Sequence, residues 1–123
     1  MKKRPQELTK AELEIMQVIW QKEKVLVHDV LSELPDPKPA YNTVSTIVRI
    51  LENKGFVSHK AYGRTYEYFP IVAKEEYTNA YMRTVLDNFF DGSVSRLVNF
   101  FSAQKSISLE ETDEILKILN GDK

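Results

Sequence analysis

Three stretches of helical period, a short stretch rich in alternating aromatic and β-branched residues, and a second run of helical period predict a mainly α chain, α+β by class. Their order is that of a winged helix-turn-helix with a small β-hairpin wing, residues 1–70, followed by a helical region, residues 71–123. The glycines agree with this parsing. Gly55, Gly92 and Gly121 fall at expected helix ends and Gly63 at the expected hairpin turn, which accounts for all four in the chain.

The first helix, about Lys10 to Gln21, opens with Thr9 and Glu12 in capping-box spacing and carries Leu13, Met16, Val18, Ile19 and Trp20. A second, shorter helix repeats the apolar spacing at Val27, Val30, Leu31 and Leu34 and stops at Pro35. After the proline-rich "PDPKPA", the stretch "NTVSTIVRILENKGF" predicts a third helix that ends at Gly55. Val44, Ile47, Val48 and Leu51 share one stripe, with Asn42, Thr46, Arg49 and Asn53 opposite. "FVSHKAYGRTYEYF" then changes period and predicts a hairpin turning around Ala61 to Arg64 and closing at Pro70. A helix from Ala73 to Asp91, a short one from Val94 to Phe101, and a last one starting at the Ser108/Glu111 capping box complete the chain.

Composition excludes several classes of function. With 123 residues, 42% hydrophobic and 28% charged, the chain suits one ordinary core plus a helical appendage. It contains no cysteine and only His28 and His59, in different elements, so no disulfide, thiolate chemistry or side-chain zinc site is expected. No Ser-His-Asp set, glycine-rich phosphate loop or paired acid in an apolar setting is legible, so the chain reads as a non-enzyme without metal or cofactor. No apolar run approaches a membrane span, and "MKKRPQ" has no apolar stretch behind it to make a signal peptide, so cytoplasmic residence without membrane insertion is the expectation.

The outer face of the third helix carries short hydrogen-bonding side chains and one arginine, where Glu and Lys would be usual. Thr and Ser can bond bases or phosphates, Asn suits adenine, and Arg suits guanine or phosphate. Asn42, Thr43, Ser45, Thr46 and Arg49 therefore form the candidate reading surface, with Lys54 flanking it. The hairpin tip adds Lys60 and Arg64, with Tyr62 as a marginal contact. Each signal has a plainer explanation: a solvated weak helix in one case, a hairpin kept soluble by basic residues in the other. Helix and hairpin in this order make double-stranded DNA the expected partner. Charge agrees mildly: residues 1–70 hold 11 basic against 9 acidic side chains and residues 71–123 hold 6 against 9.

In residues 71–123 Tyr77, Tyr81, Phe89, Leu97, Val98, Phe101, Ile115 and Leu119 offer more apolar surface than three short helices can bury alone, so a homodimer through a helical dimerisation domain is expected. Two other classes stay open. A winged helix can serve as a protein-interaction module without DNA affinity, and the C-terminal aromatic cluster could sense a small ligand.

Taken together, "LTKAELEIMQVIW", "NTVSTIVRILENKGFV", "YGRTYEYFP" and "LVNFF" resemble the penicillinase-repressor family of bacterial regulators, the BlaI/MecI type, from about Leu8 to Leu119. The resemblance implies a homodimeric repressor on a palindromic operator, controlling β-lactam resistance or a related envelope response. It also implies relief of repression when a membrane sensor-protease signals and an Asn-Phe bond is cut, which here matches Asn99–Phe100. Family members commonly carry lysine where this chain has Asn42 and arginine where it has Ile50, and this chain places its arginine one position earlier, at Arg49.

Overall fold

The computed structural model describes residues 7–104 and 108–119, the side chain of Leu119 excepted. The chain divides into two compact units, Met1–Tyr77 and Thr78–Lys123.

In the first unit α1 (Lys10–Lys22) begins at Thr9, whose Oγ1 accepts from Glu12 N–H at 3.2 Å while Thr9 N–H donates to Glu12 Oε1 at 2.9 Å. Both halves of the expected capping box are formed. Val25 follows and exchanges backbone hydrogen bonds of 2.9 and 2.7 Å with Tyr68, a pairing that adds a one-residue third strand to the hairpin. α2 (Val27–Glu33) is short and is succeeded by Leu34 in extended backbone ahead of Pro35. α3 spans Tyr41–Asn53, and Val44, Val48 and Leu51 of its apolar stripe are wholly buried, with Ile47 partly so.

Gly55 leaves α3 at φ +85°, and Phe56 N–H reaches back to Leu51 C=O at 2.9 Å. Only a residue without a Cβ adopts that backbone at low cost, so the glycine sets the exit direction toward the sheet. β1 (Val57–Tyr62) and β2 (Thr65–Pro70) pair antiparallel from Val57 with Pro70 to Tyr62 with Thr65. The connection is the two-residue loop Gly63–Arg64, with Gly63 at φ +63°. The core joins Ile15, Met16 and Ile19 of α1 to Val30 of α2, the α3 stripe, Phe56 and Val57.

α4 (Lys74–Phe89) contributes its first turn to this first unit. Tyr77 is buried there: its hydroxyl accepts from Leu8 N–H at 2.9 Å, and its ring lies 6.0 Å from Trp20 and 5.6 Å from Phe56. This corrects the expectation that Tyr77 faces a second chain. Its apolar surface and its hydroxyl are both used within the first unit's core.

The second unit continues α4 and adds α5 (Val94–Ala103) and α6 (Leu109–Leu119). Asp91 and Gly92, at φ +53° and +75°, turn the chain after α4, and Ser93 caps α5 by accepting from Arg96 N–H at 3.2 Å. The Ser108/Glu111 capping box of α6 is formed, both bonds at 3.1 Å. Leu86, Leu97 and Val98 are buried, so two of the residues expected on a dimer face spend their surface inside the unit. Met82, Leu97, Val98, Phe101, Ile115 and Ile118 line an entirely apolar cleft of about 200 Å³. Tyr81 and Phe89 are exposed, as are Phe100, Leu109 and Ile118, which the sequence-based set omitted. The side chain of Leu119 lies outside what the structure describes.

Candidate nucleic-acid interface

Because three apolar residues of α3 are fully buried, the helix is fixed in rotation and its polar residues must face out. Asn42, Thr43, Thr46 and Arg49 are exposed and Ser45 is half-buried. Thr46 Oγ1 donates to Asn42 C=O one turn back at 2.8 Å, which leaves the lone pairs of its oxygen able to accept.

At the wing, Lys60, Tyr62 and Arg64 are exposed, and Lys60 Nζ lies 5.4 Å from the centre of the Tyr62 ring. Between wing and helix runs a cleft of about 520 Å³, lined by Leu26, Val27, His28, Tyr41, Ser45, Arg49, Arg64, Thr65, Tyr66 and Tyr68. It brings the α3 arginine and the wing arginine to one opening. His28, Tyr41, Thr65 and Tyr66 were not expected at the site. Tyr41 adjoins Asn42 and Thr65 adjoins Arg64 in the sequence, but only the packing of α2, α3 and the wing collects them with His28 at one cleft.

The wing is held to α3 by a side-chain cluster. Glu52 Oε2 lies 2.7 Å from His59 Nδ1, and since a carboxylate can only accept, Nδ1 carries the hydrogen. Tyr66 stacks on the same imidazole at 4.2 Å and Tyr68 lies 5.5 Å away. Burial, with the Glu52 charge adding to it, pushes the Tyr68 hydroxyl pKa above its ordinary value.

Lys54, expected to flank the reading surface, has another partner. Its half-buried Nζ sits 2.7 Å from Glu12 Oε1 and 3.0 Å from Oε2, tying the end of α3 to the start of α1. Burial by itself would raise the Glu12 pKa, but hydrogen bonds and charge from Lys54, with the hydrogen bonds of Thr9, outweigh it and hold the carboxyl below its ordinary value. An ammonium engaged twice by a buried carboxylate is costly to withdraw for a phosphate.

The sequence model of the penicillinase repressor family matches residues 8–121. The penicillinase repressor of Bacillus licheniformis is 32% identical over 124 residues, covering 100% of this chain and 96% of that protein. The methicillin resistance regulatory protein MecI of Staphylococcus aureus (strain N315) is 25% identical over 115 residues, covering 93% and 94% respectively. Among solved structures, the DNA binding domain of the repressor BlaI is similar at a TM-score of 0.52 and 35% identity, over 63% of this chain and 94% of that one. The monomeric form of Bacillus licheniformis BlaI, solved in complex with the blaP half-operator, is similar over the same shares at a TM-score of 0.50 and 35% identity.

Proposed function

The chain belongs to the penicillinase repressor family, and from that premise we propose that it represses β-lactam resistance genes as a dimer on a two-fold symmetric DNA operator. One observation carries the reading: an exposed face of Asn, Thr and Arg on a rotationally fixed α3 stands beside a basic wing. Over 63% of its length the chain is also similar to the monomeric form of BlaI solved in complex with a half-operator. Asn42, Thr43, Ser45, Thr46 and Arg49 approach the major groove, and Lys60, Tyr62 and Arg64 the adjoining backbone or minor groove.

The DNA-binding domain includes the first turn of α4. A fragment ending at Pro70 lacks Tyr77, and with it a ring packed on Trp20 and Phe56 and the acceptor for Leu8 N–H. Dimerisation falls to the second unit, through Tyr81, Phe89, Phe101 and Ile115 together with the newly found Phe100, Leu109 and Ile118.

Relief of repression fits cleavage at Asn99–Phe100 by a membrane sensor-protease. Both residues are exposed, but the bond lies inside α5, and proteolysis needs an extended segment, so α5 must open locally first. Cleavage there removes α6 and the end of α5 from the dimer surface.

The test is operator binding by the full-length protein across salt concentrations. With about 6 phosphates neutralised per dimer, log Kd against log salt should have a slope of magnitude about 5. A slope near zero, or equal affinity for scrambled DNA, would remove the repressor reading.

A further inference from the structure

The exposed side of α3 has two faces. Tyr41, Ser45 and Arg49 follow one another at i, i+4 and i+8 and line the cleft against the wing. Asn42 and Thr46, one position further round, are exposed outside that cleft. Across it stand Arg64 and Thr65 of the wing and His28 of α2.

No carboxylate lines the cleft among the described residues. Glu52, three residues after Arg49, directs Oε2 to His59 Nδ1 at 2.7 Å. Two guanidiniums that separate elements bring to one opening repel each other, and an anion between them turns that repulsion into attraction. A guanidinium also matches a phosphate with two parallel N–H donors, and serine, threonine and tyrosine hydroxyls supply further donors at the same opening.

Resting on the reading of the chain as an operator-binding repressor, we propose that this cleft seats one backbone phosphate in each half-site, held jointly by Arg49 of α3 and Arg64 of the wing. Arg49 is then a positioning residue. It sets how deep and at what angle α3 lies in the groove, and base reading falls to Asn42, Thr43 and Thr46.

The experiment uses the full-length chain and an operator duplex that it selects from random-sequence DNA. Single methylphosphonates, which keep the linkage but remove its charge, are placed at each phosphate in turn. Both arginines are exposed, so R49A and R64A should fold as the parent does. The seat requires one phosphate per half-site whose neutralisation weakens the parent about tenfold, and each variant should lose its response at that same phosphate. Both variants should keep the parent's ranking of base-substituted operators, and the double variant should lose little more than either single one. Responses lost at two different phosphates, or an altered base ranking in R49A, overturn the seat while leaving the repressor reading intact. Failure of the parent to select any preferred sequence overturns the repressor reading, and the seat with it.

Discussion

The two compact units solve the burial problem differently. The first closes a core from α1, α2, α3, the hairpin and the first turn of α4, and its exposed functional face sets Asn, Thr, Lys and Arg side chains beside the tyrosines Tyr41, Tyr62 and Tyr66. The second buries Leu86, Leu97 and Val98 but leaves Tyr81, Phe89, Phe100, Leu109 and Ile118 in solvent. The first unit therefore closes its own core, whereas the second leaves apolar surface that a second copy would cover in the proposed dimer. The proposed dimer would make sequence reading and affinity separate properties, the first unit choosing the site and the second supplying the linkage that makes binding tight.

The strongest way to break that division is to end the chain at Asn99. If linkage is the second unit's contribution, sedimentation should show a monomer and operator affinity should fall by about 10²–10⁴-fold, with the order of preference among operators unchanged. Undiminished affinity would place the tight binding in the first unit alone. Next in size is Phe56→Ala, which empties a fully buried site between α3 and the sheet. It should cost about 3–5 kcal/mol of stability, measured by denaturant unfolding, and abolish specific binding at temperatures where the first unit unfolds.

A smaller effect tests the join between α1 and α3. The Glu12 carboxyl is held below its ordinary pKa in the folded chain, so its contribution is present above the unfolded pKa and is lost as pH falls through the folded one. Lys54→Met should flatten that acid limb of the stability profile and cost about 1–3 kcal/mol at neutral pH, because the buried carboxylate loses its cation. If operator affinity falls beyond what the lost stability explains, Lys54 also touches DNA. The smallest expected effect on folding comes from Phe89→Ser at a position 76% exposed. Stability of the isolated chain should change within about 0.5 kcal/mol, while dimer dissociation moves to higher protein concentration. A large loss of stability with no change in dimerisation would refute the assignment of that face.

What could be read in the sequence was whatever local rules specify. The α3 stripe at Val44, Val48 and Leu51, the capping boxes at Thr9/Glu12 and Ser108/Glu111, and the change of period before the hairpin all depend on residues a few positions apart. What escaped depends on distant partners. Val25 pairs with Tyr68 across the sheet, and a single residue carries no periodic signal. Lys54 looks like a solvated helix-end cation until Glu12 is found 42 positions away. Tyr77 has helical spacing with Tyr81, but periodicity gives a face and not the core that receives it. The wing-side cleft is likewise a product of packing, since His28, Tyr41 and Arg64 come from three elements.

The single tryptophan has a practical consequence. Trp20 packs 6.0 Å from Tyr77 and its indole N–H donates to Val72 C=O at 2.9 Å, all within the first unit. Its emission is therefore a built-in optical reporter of one unit, while far-ultraviolet circular dichroism sums over both. Recorded side by side during a denaturant titration, the two signals separate when the halves melt at different midpoints and superimpose when they melt as one.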